Sequence, residues 1–236
     1  MTIRVLTHKY TETYPVMLLR LRQAANDQPA LGGVFVRDAK LLALSPTRRM
    51  ARMMDAASSD GQAFIAIEPI HGLPLRELLD AAVLRRETLT MPALIQLAVQ
   101  IAETLALLHR SVLPEAPTGI VHGDLGPHSI WVTPEGRARL VPTALGHVAC
   151  HPAAPKSAEH LRYKAPEQIA RPLLARGLDP RVDVFAFGAV VWEAFVGRPA
   201  FGGDDPDEVM RAVADPAVPA LTDEVDASQG LSYVLG

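Results

Sequence analysis

His122 and Asp124 stand in the stretch His122-Gly123-Asp124-Leu125-Gly126-Pro127-His128-Ser129-Ile130, whose glycines and proline mark a loop and whose carboxylate could accept a proton from a bound hydroxyl. About a dozen residues further on comes Pro142-Thr143-Ala144, and no Asp or Glu occurs from Gly136 through Pro155. That segment therefore offers no acidic side chain to a divalent cation. His147, Cys150 and His151 are ligand types close together, but three loop residues without a second pair match no zinc pattern. They are read as a free loop thiol and its neighbours, with no metal. Ser157, beside Lys156, is read as an exposed loop serine.

The elements that must position this loop come from an ordinary globular composition. The chain has 236 residues, 49% hydrophobic and 21% charged, enough for one large domain or two small lobes. A net charge of -3 and a pI near 6.2 give no basic excess, so neither nucleic acid nor an anionic membrane surface is indicated as a partner. Cys150 is the single cysteine, which excludes an internal disulfide and fits a reducing compartment. The N-terminus lacks the apolar stretch of a signal peptide, and the apolar run from Val184 to Val196 is broken by Glu193 and too short to span a bilayer. A cytoplasmic location is expected.

Residues 1 to about 70 read as β-rich with one helix, and the remainder as mostly helical. Ile3 to Leu6 and Val16 to Leu21 are strand candidates, and Leu31, Phe35, Ala39 and Leu42 recur at helical spacing. Gly32-Gly33 is read as a turn leading into that helix, and Asp38 as a solvated carboxylate on it. Ala63 to Ile67 suits a buried strand, and Glu68-Pro69-Ile70-His71-Gly72 a connector. Met91 to His109 carries Leu94, Leu97, Ile101, Leu105 and Leu108 on one face of a long helix. Short strands follow at 129–132 and 137–141, then a polar, proline-bearing segment to Lys164. Val182 to Phe195 is expected as a helix buried all round, and Asp207 to Val213 as a shorter one.

Three separated segments bring a family into view. His122-Gly123-Asp124-Leu125-x-Pro127, Tyr163-Lys164-Ala165-Pro166-Glu167, and Asp183-Val184-Phe185-Ala186-Phe187-Gly188 with Gly197-Arg198-Pro199-Ala200-Phe201 follow one another in the order and spacing of a protein kinase. The chain resembles the bacterial, eukaryotic-like serine/threonine protein kinases. The resemblance implies an α+β fold of two lobes, with residues 1–70 a reduced, β-rich lobe and 71–236 a mostly helical one. Only about fifteen residues precede Val16, too few for the glycine-rich loop of the family, and the chain stops at Gly236 before the last helices of the large lobe.

Position by position, the resemblance implies losses. Leu19 stands where the phosphate-gripping lysine belongs, with Arg20 on the opposite side of the strand and Arg22 beyond its end. Ser129 replaces the asparagine of the second metal site, Gly126 the lysine that contacts the transferred phosphate, and Pro142 the chief metal ligand. Asp124 alone remains of the catalytic set and is read as hydrogen-bonding its own loop. Met17 and Trp131 take the places of the residues that sandwich adenine, with Ile67 at the back of the cleft and Glu68 and Ile70 at the hinge. Larger side chains there are expected to fill the adenine slot. Asp183, His122 and Glu167 are read as fold-holding residues, Thr143 as the replacement for a packed phenylalanine, and His160 as standing where a threonine normally meets the catalytic aspartate.

These substitutions lead to the expectation of an inactive pseudokinase, a protein-binding regulatory or scaffold module without cofactor, whose partner is another protein or a second copy of the chain. The alternative is a divergent serine/threonine protein kinase or nucleotide-binding phosphotransferase with residual activity. His122-Gly123-Asp124 is also the spelling of aminoglycoside-type phosphotransferases, which still need an acidic ligand downstream.

Overall fold

The computed structural model describes residues 2–7, 13–21, 25, 29–87, 89–149, 157–170 and 178–215. Arg22, Cys150, His151 and Lys156 lie outside them. A four-stranded antiparallel sheet is ordered β1 (Thr2–Thr7), β2 (Thr13–Arg20), β4 (Gln62–Ile67) and β3 (Met53–Ser59). The period of two along β2 splits its side chains. Met17 joins the main core with Leu21, whereas Val16 and Leu18 form a small cluster with Ala66 on the other face. Met17 pairs with Ile67 and Leu19 with Ile65, so the register ties the middle of β2 to the strand that runs into the connector.

Helix α1 (Pro29–Leu42) packs on β3 and β4 through Leu31, Phe35, Ala39 and Leu42, all buried. Gly32 and Gly33 lie inside this helix, not in a turn before it. A Cβ at Gly32 would meet Ala63 Cβ at 3.7 Å, an ordinary contact, and one at Gly33 would meet nothing within 4 Å, so neither site requires glycine and each costs the helix about 0.5–1 kcal/mol. After the connector come β5 (Leu73–Pro74), α2 (Leu75–Arg85) and α3 (Met91–Arg110), the last with Pro92 in its first turn. Among the described residues, α3 is the one helix long and apolar enough to cross a membrane by length and composition, but its Leu94, Leu97, Ile101, Leu105 and Leu108 are buried in the core.

A second sheet, β5-β6-β7, adds β6 (Ile130–Val132) and β7 (Ala138–Leu140), with Trp131 opposite both Pro74 and Arg139. Backbone bonds from Ala51 N to Leu140 O (2.8 Å) and Leu140 N to Arg49 O (2.7 Å) tie the segment before β3 to β7. One continuous apolar cluster runs from Met17 through α3 to Val213. The rest is helical: α4 (Gly146–Ala149), α5 (Ala158–Leu161), α6 (Pro166–Ala170), α7 (Arg181–Val196) and α8 (Pro206–Ala214). Helix α7 packs against α3 and stops at Gly197 in the left-handed conformation, φ 80°. It is not buried all round: Val184 is 58% exposed, because only its α3-facing side meets another long helix. At α8, Asp205 accepts from Asp207 N and Glu208 N, a side-chain N-cap ahead of Pro206.

Candidate active site

The loop 122–129 is suspended from α7. Asp183, buried in the first turn of that helix, accepts from His122 N (2.8 Å) through Oδ2 and from Gly123 N (2.7 Å) through Oδ1. His109 Nε2, from the last turn of α3, lies 2.8 Å from Asp183 Oδ2. One carboxylate thereby satisfies two loop amides that burial would otherwise leave unpaired. Gly123 has φ 73°, and a Cβ there would lie 2.6 Å from Leu178 Cδ1 and 3.0 Å from Gly146 Cα, so both backbone and space require glycine. The His122 ring accepts from Asp124 N at Nδ1 (3.3 Å), which leaves Nε2–H to donate to Val141 O (2.9 Å). Burial lowers the His122 pKa against the pull of Asp183 and Asp124, in keeping with that neutral form.

Asp124 is 1% exposed. Its Oδ1 accepts from Lys164 Nζ at 2.5 Å, and Lys164 also donates to Gly123 O at 3.0 Å. Its Oδ2 lies 3.3 Å from His128 Nε2. Burial alone would push the carboxyl up, but Lys164 first, then His128 and His160, hold it well below the ordinary carboxylate range. His160 meets His128 edge-on, with ring centroids 4.6 Å apart, and burial pushes its own pKa down. The Asp124 carboxylate thus meets its own loop at His128, as the sequence reading has it, and also reaches beyond it to Lys164, because a buried anion needs a permanent cation.

Gly126 and Ser129 close the loop on itself. Ser129 Oγ accepts from Gly126 N (3.0 Å) and donates to Gly126 O (3.1 Å). A Cβ at residue 126 would fall 2.6 Å from His128 Cε1, so the missing side chain makes room for that ring. Gln168 Nε2 donates to Gly123 O (2.9 Å) while its Oε1 accepts from Ala165 N (3.0 Å), locking the segment after α5 to the loop. Lys164, His128 and Gln168 went unassigned in the sequence. His128 alone had a local signal, its spacing of four from Asp124.

On the sheet side, Leu19 packs partly buried against the main core and Arg20 is exposed. Met17 is 1% exposed, and its Sδ lies 3.4 Å from Ile70 N, taking the hydrogen of the connector amide. Ile67 is fully buried beside it. Trp131 packs partly buried on the same cluster, with a buried indole N–H that has no acceptor among the described residues. Glu68 is bonded to Arg139 and accepts from Arg52 N (2.9 Å). Asp38 is not solvated: it is buried, with Arg37 Nη2 at 2.7 Å on Oδ1 and His147 Nδ1 at 2.7 Å on Oδ2. Its contact with α4 draws it inward.

Pro142 and Thr143 are buried, and Thr143 Oγ1 has no partner among the described residues. Glu167 is exposed; the buried glutamate is Glu193, held by Arg76 Nη1 (2.6 Å) and by the Tyr163 hydroxyl. Burial, then Glu193, raises the Tyr163 pKa. A divalent cation, implied by the family resemblance, does not fit the residues at 129 and 142. The Pro142 side chain has no donor atom, Ser129 Oγ is committed to Gly126, and both Asp124 oxygens face a cation or a ring N–H.

Comparison with known sequences places this geometry. The protein kinase domain profile matches residues 3–230. A probable serine/threonine-protein kinase of Clostridium acetobutylicum is 24% identical over 223 residues, covering 92% of this chain and 29% of that protein. Serine/threonine-protein kinase PknL of Mycobacterium tuberculosis is 26% identical over 195 residues, 81% of this chain and 45% of its own. PkaB of Streptomyces coelicolor is 25% identical over 225 residues, 89% and 50%. The chain spans about half or less of the length of these relatives. The profile match and relatives named as kinases overturn the expectation of a non-enzymatic protein, which rested on substitutions counted one position at a time and left out the cation that the fold returns to Asp124.

Proposed function

We propose, from the premise that this chain belongs to the protein kinase domain family, that it is a divergent serine/threonine protein kinase with residual phosphotransferase activity. The observation that carries this reading is Lys164 Nζ at 2.5 Å from Asp124 Oδ1. The ionised Asp124 has a free lone pair to take a proton, as a weak base given its lowered pKa, and an ammonium beside it places positive charge where phosphate oxygens would gather. Asp124 takes the proton of a serine or threonine hydroxyl on an acceptor protein. The hydroxyl oxygen bonds to the γ-phosphorus of ATP as the bond to the leaving ADP oxygen breaks. His128, on the accessible side of Asp124, turns aside from Oδ2 to admit that hydroxyl. Met17, an unbranched thioether, rotates to clear the space in front of Ile70 N.

A single ammonium, already shared with Asp124, does part of what a lysine, a metal pair and a glycine loop do together, so the rate is low. Family members turn over at about 1–100 s⁻¹, and a positioned base supplies about 10²–10⁴ of the acceleration. The test is transfer of labelled phosphate from ATP to a generic protein acceptor by the purified chain, with and without magnesium. Transfer is expected well below 1 s⁻¹, falling about 10²-fold or more in Asp124→Asn. Lys164→Met is expected to lower kcat more than KM. Transfer no faster than in Asp124→Asn defeats the reading. The partner is then the acceptor protein, and an ATP-dependent enzyme with a single thiol belongs in the cytoplasm.

A further inference from the structure

We propose that the groove between α3 and the β6–β7 hairpin docks an acidic peptide segment of a partner protein, remote from the loop 122–129. The groove has a volume of about 980 Å³ and is rimmed by Arg48, Arg49, Arg137 and Arg139 over Val99 and Gln100. A second depression of about 470 Å³ adjoins it, sharing Arg48 and Arg139 and adding Arg52. Together they are lined by five arginines in a protein whose net charge is -3.

The walls are fixed. Gln100 donates to Gly136 O (3.2 Å) and accepts from Ala138 N (2.9 Å), fastening the hairpin to α3. The acidic groups present pair with only two of the five arginines. Glu103 takes Arg49 at 2.7 Å, Glu68 takes Arg139, and Glu135 accepts from the Thr133 hydroxyl at 2.7 Å. That hydroxyl is the main cause of the lowered Glu135 pKa, with Arg137 a lesser one. The Arg48 and Arg137 guanidinium groups have no hydrogen bond or ion pair among the described residues, and Arg139 Nε is buried without an acceptor. Arg48 and Arg137 are exposed, and such guanidinium forks are matched by carboxylates.

An acidic peptide fits better than nucleic acid. No aromatic side chain lines either depression, so stacking surfaces for bases are missing there. Val99, half exposed on the floor, offers an apolar contact for one aliphatic residue between the carboxylates.

The test is fluorescence anisotropy with a fluorescein-labelled octapeptide of Glu residues around one Leu, beside the same peptide with Lys for Glu and a single-stranded RNA oligonucleotide. Saturable binding of the Glu peptide is expected, with affinity falling about tenfold or more in the Arg48→Glu/Arg137→Glu double variant and declining as salt rises. The Arg48→Gln/Arg137→Gln variant is expected to lose affinity in the same direction, and serves if the charge reversal fails to fold. No saturable binding, equal affinity in a folded double variant, or RNA bound as tightly as the Glu peptide overturns the proposal. The readout requires no phosphate transfer, so it stands or falls apart from the kinase reading.

Discussion

The loop around Asp124 and the cleft around Met17 sit on the same core, yet they depart from the kinase pattern in opposite ways. At the loop, a lost charge is replaced: Gly126 has no side chain, and Lys164 brings an ammonium from 40 residues away. At the cleft, lost charge is replaced by hydrocarbon and sulfur, with Leu19 in the core and Met17 Sδ on the Ile70 amide. The difference is one of obligation. Asp124 remains a buried carboxylate, and a buried anion must be paired; an apolar strand position has no such requirement.

The strongest way to break the comparison is to cut the loop from its anchor. Asp183→Ala leaves the amides of His122 and Gly123 and the His109 ring without their acceptor. A loss of about 3–5 kcal/mol is expected, read as a shift in the urea unfolding midpoint. If the loss stays near the surface-substitution level of about 0.5 kcal/mol, the loop is held by something else.

Met17→Ala acts on the other region and sharpens the contrast. Removing a fully buried thioether is expected to cost about 2–5 kcal/mol, while freeing the Ile70 N–H and a cavity beside it. A larger ATP-dependent rise in melting temperature than in the unmutated chain is therefore expected. An unchanged ATP response would show that Met17 is not what fills the nucleotide's place.

The smallest effect is a pH dependence confined to the loop side. Burial lowers the pKa of both His122 and His160 from 6.5, so the unfolded chain binds more protons than the folded one as pH falls below that value. The stability these rings contribute in neutral form is present above about pH 6.5 and is lost as pH drops through their folded pKa values. Melting temperature measured from pH 7.5 downward is expected to fall, and to fall less in His160→Gln. Asp124 has the same sign with a lower window, below its ordinary 3.8.

Much of this was legible in the chain. The periodic faces of α1 and α3, the strands β2, β4, β6 and β7, and the family itself follow from hydrophobic spacing and three short motifs. What sequence reading missed is of two kinds. β3, Met53-Met54-Asp55-Ala56-Ala57-Ser58-Ser59, has little β propensity and exists as an edge strand because β4 templates it. Lys164 with Asp124, and Asp38 with His147, are pairings across 40 and 109 residues, which local pattern cannot reveal. Asp38 in particular reads as a surface residue from its helix alone, and is buried only once α4 comes against it.

That Asp38–His147 contact makes α1 and the segment beyond β7 mechanically one part. A displacement of α4 pulls on a helix that underlies β3 and β4, and so on the strand that leads to Ile70. A shift of His147 on α4 therefore reaches the four-stranded sheet through α1, without any change in the strands themselves.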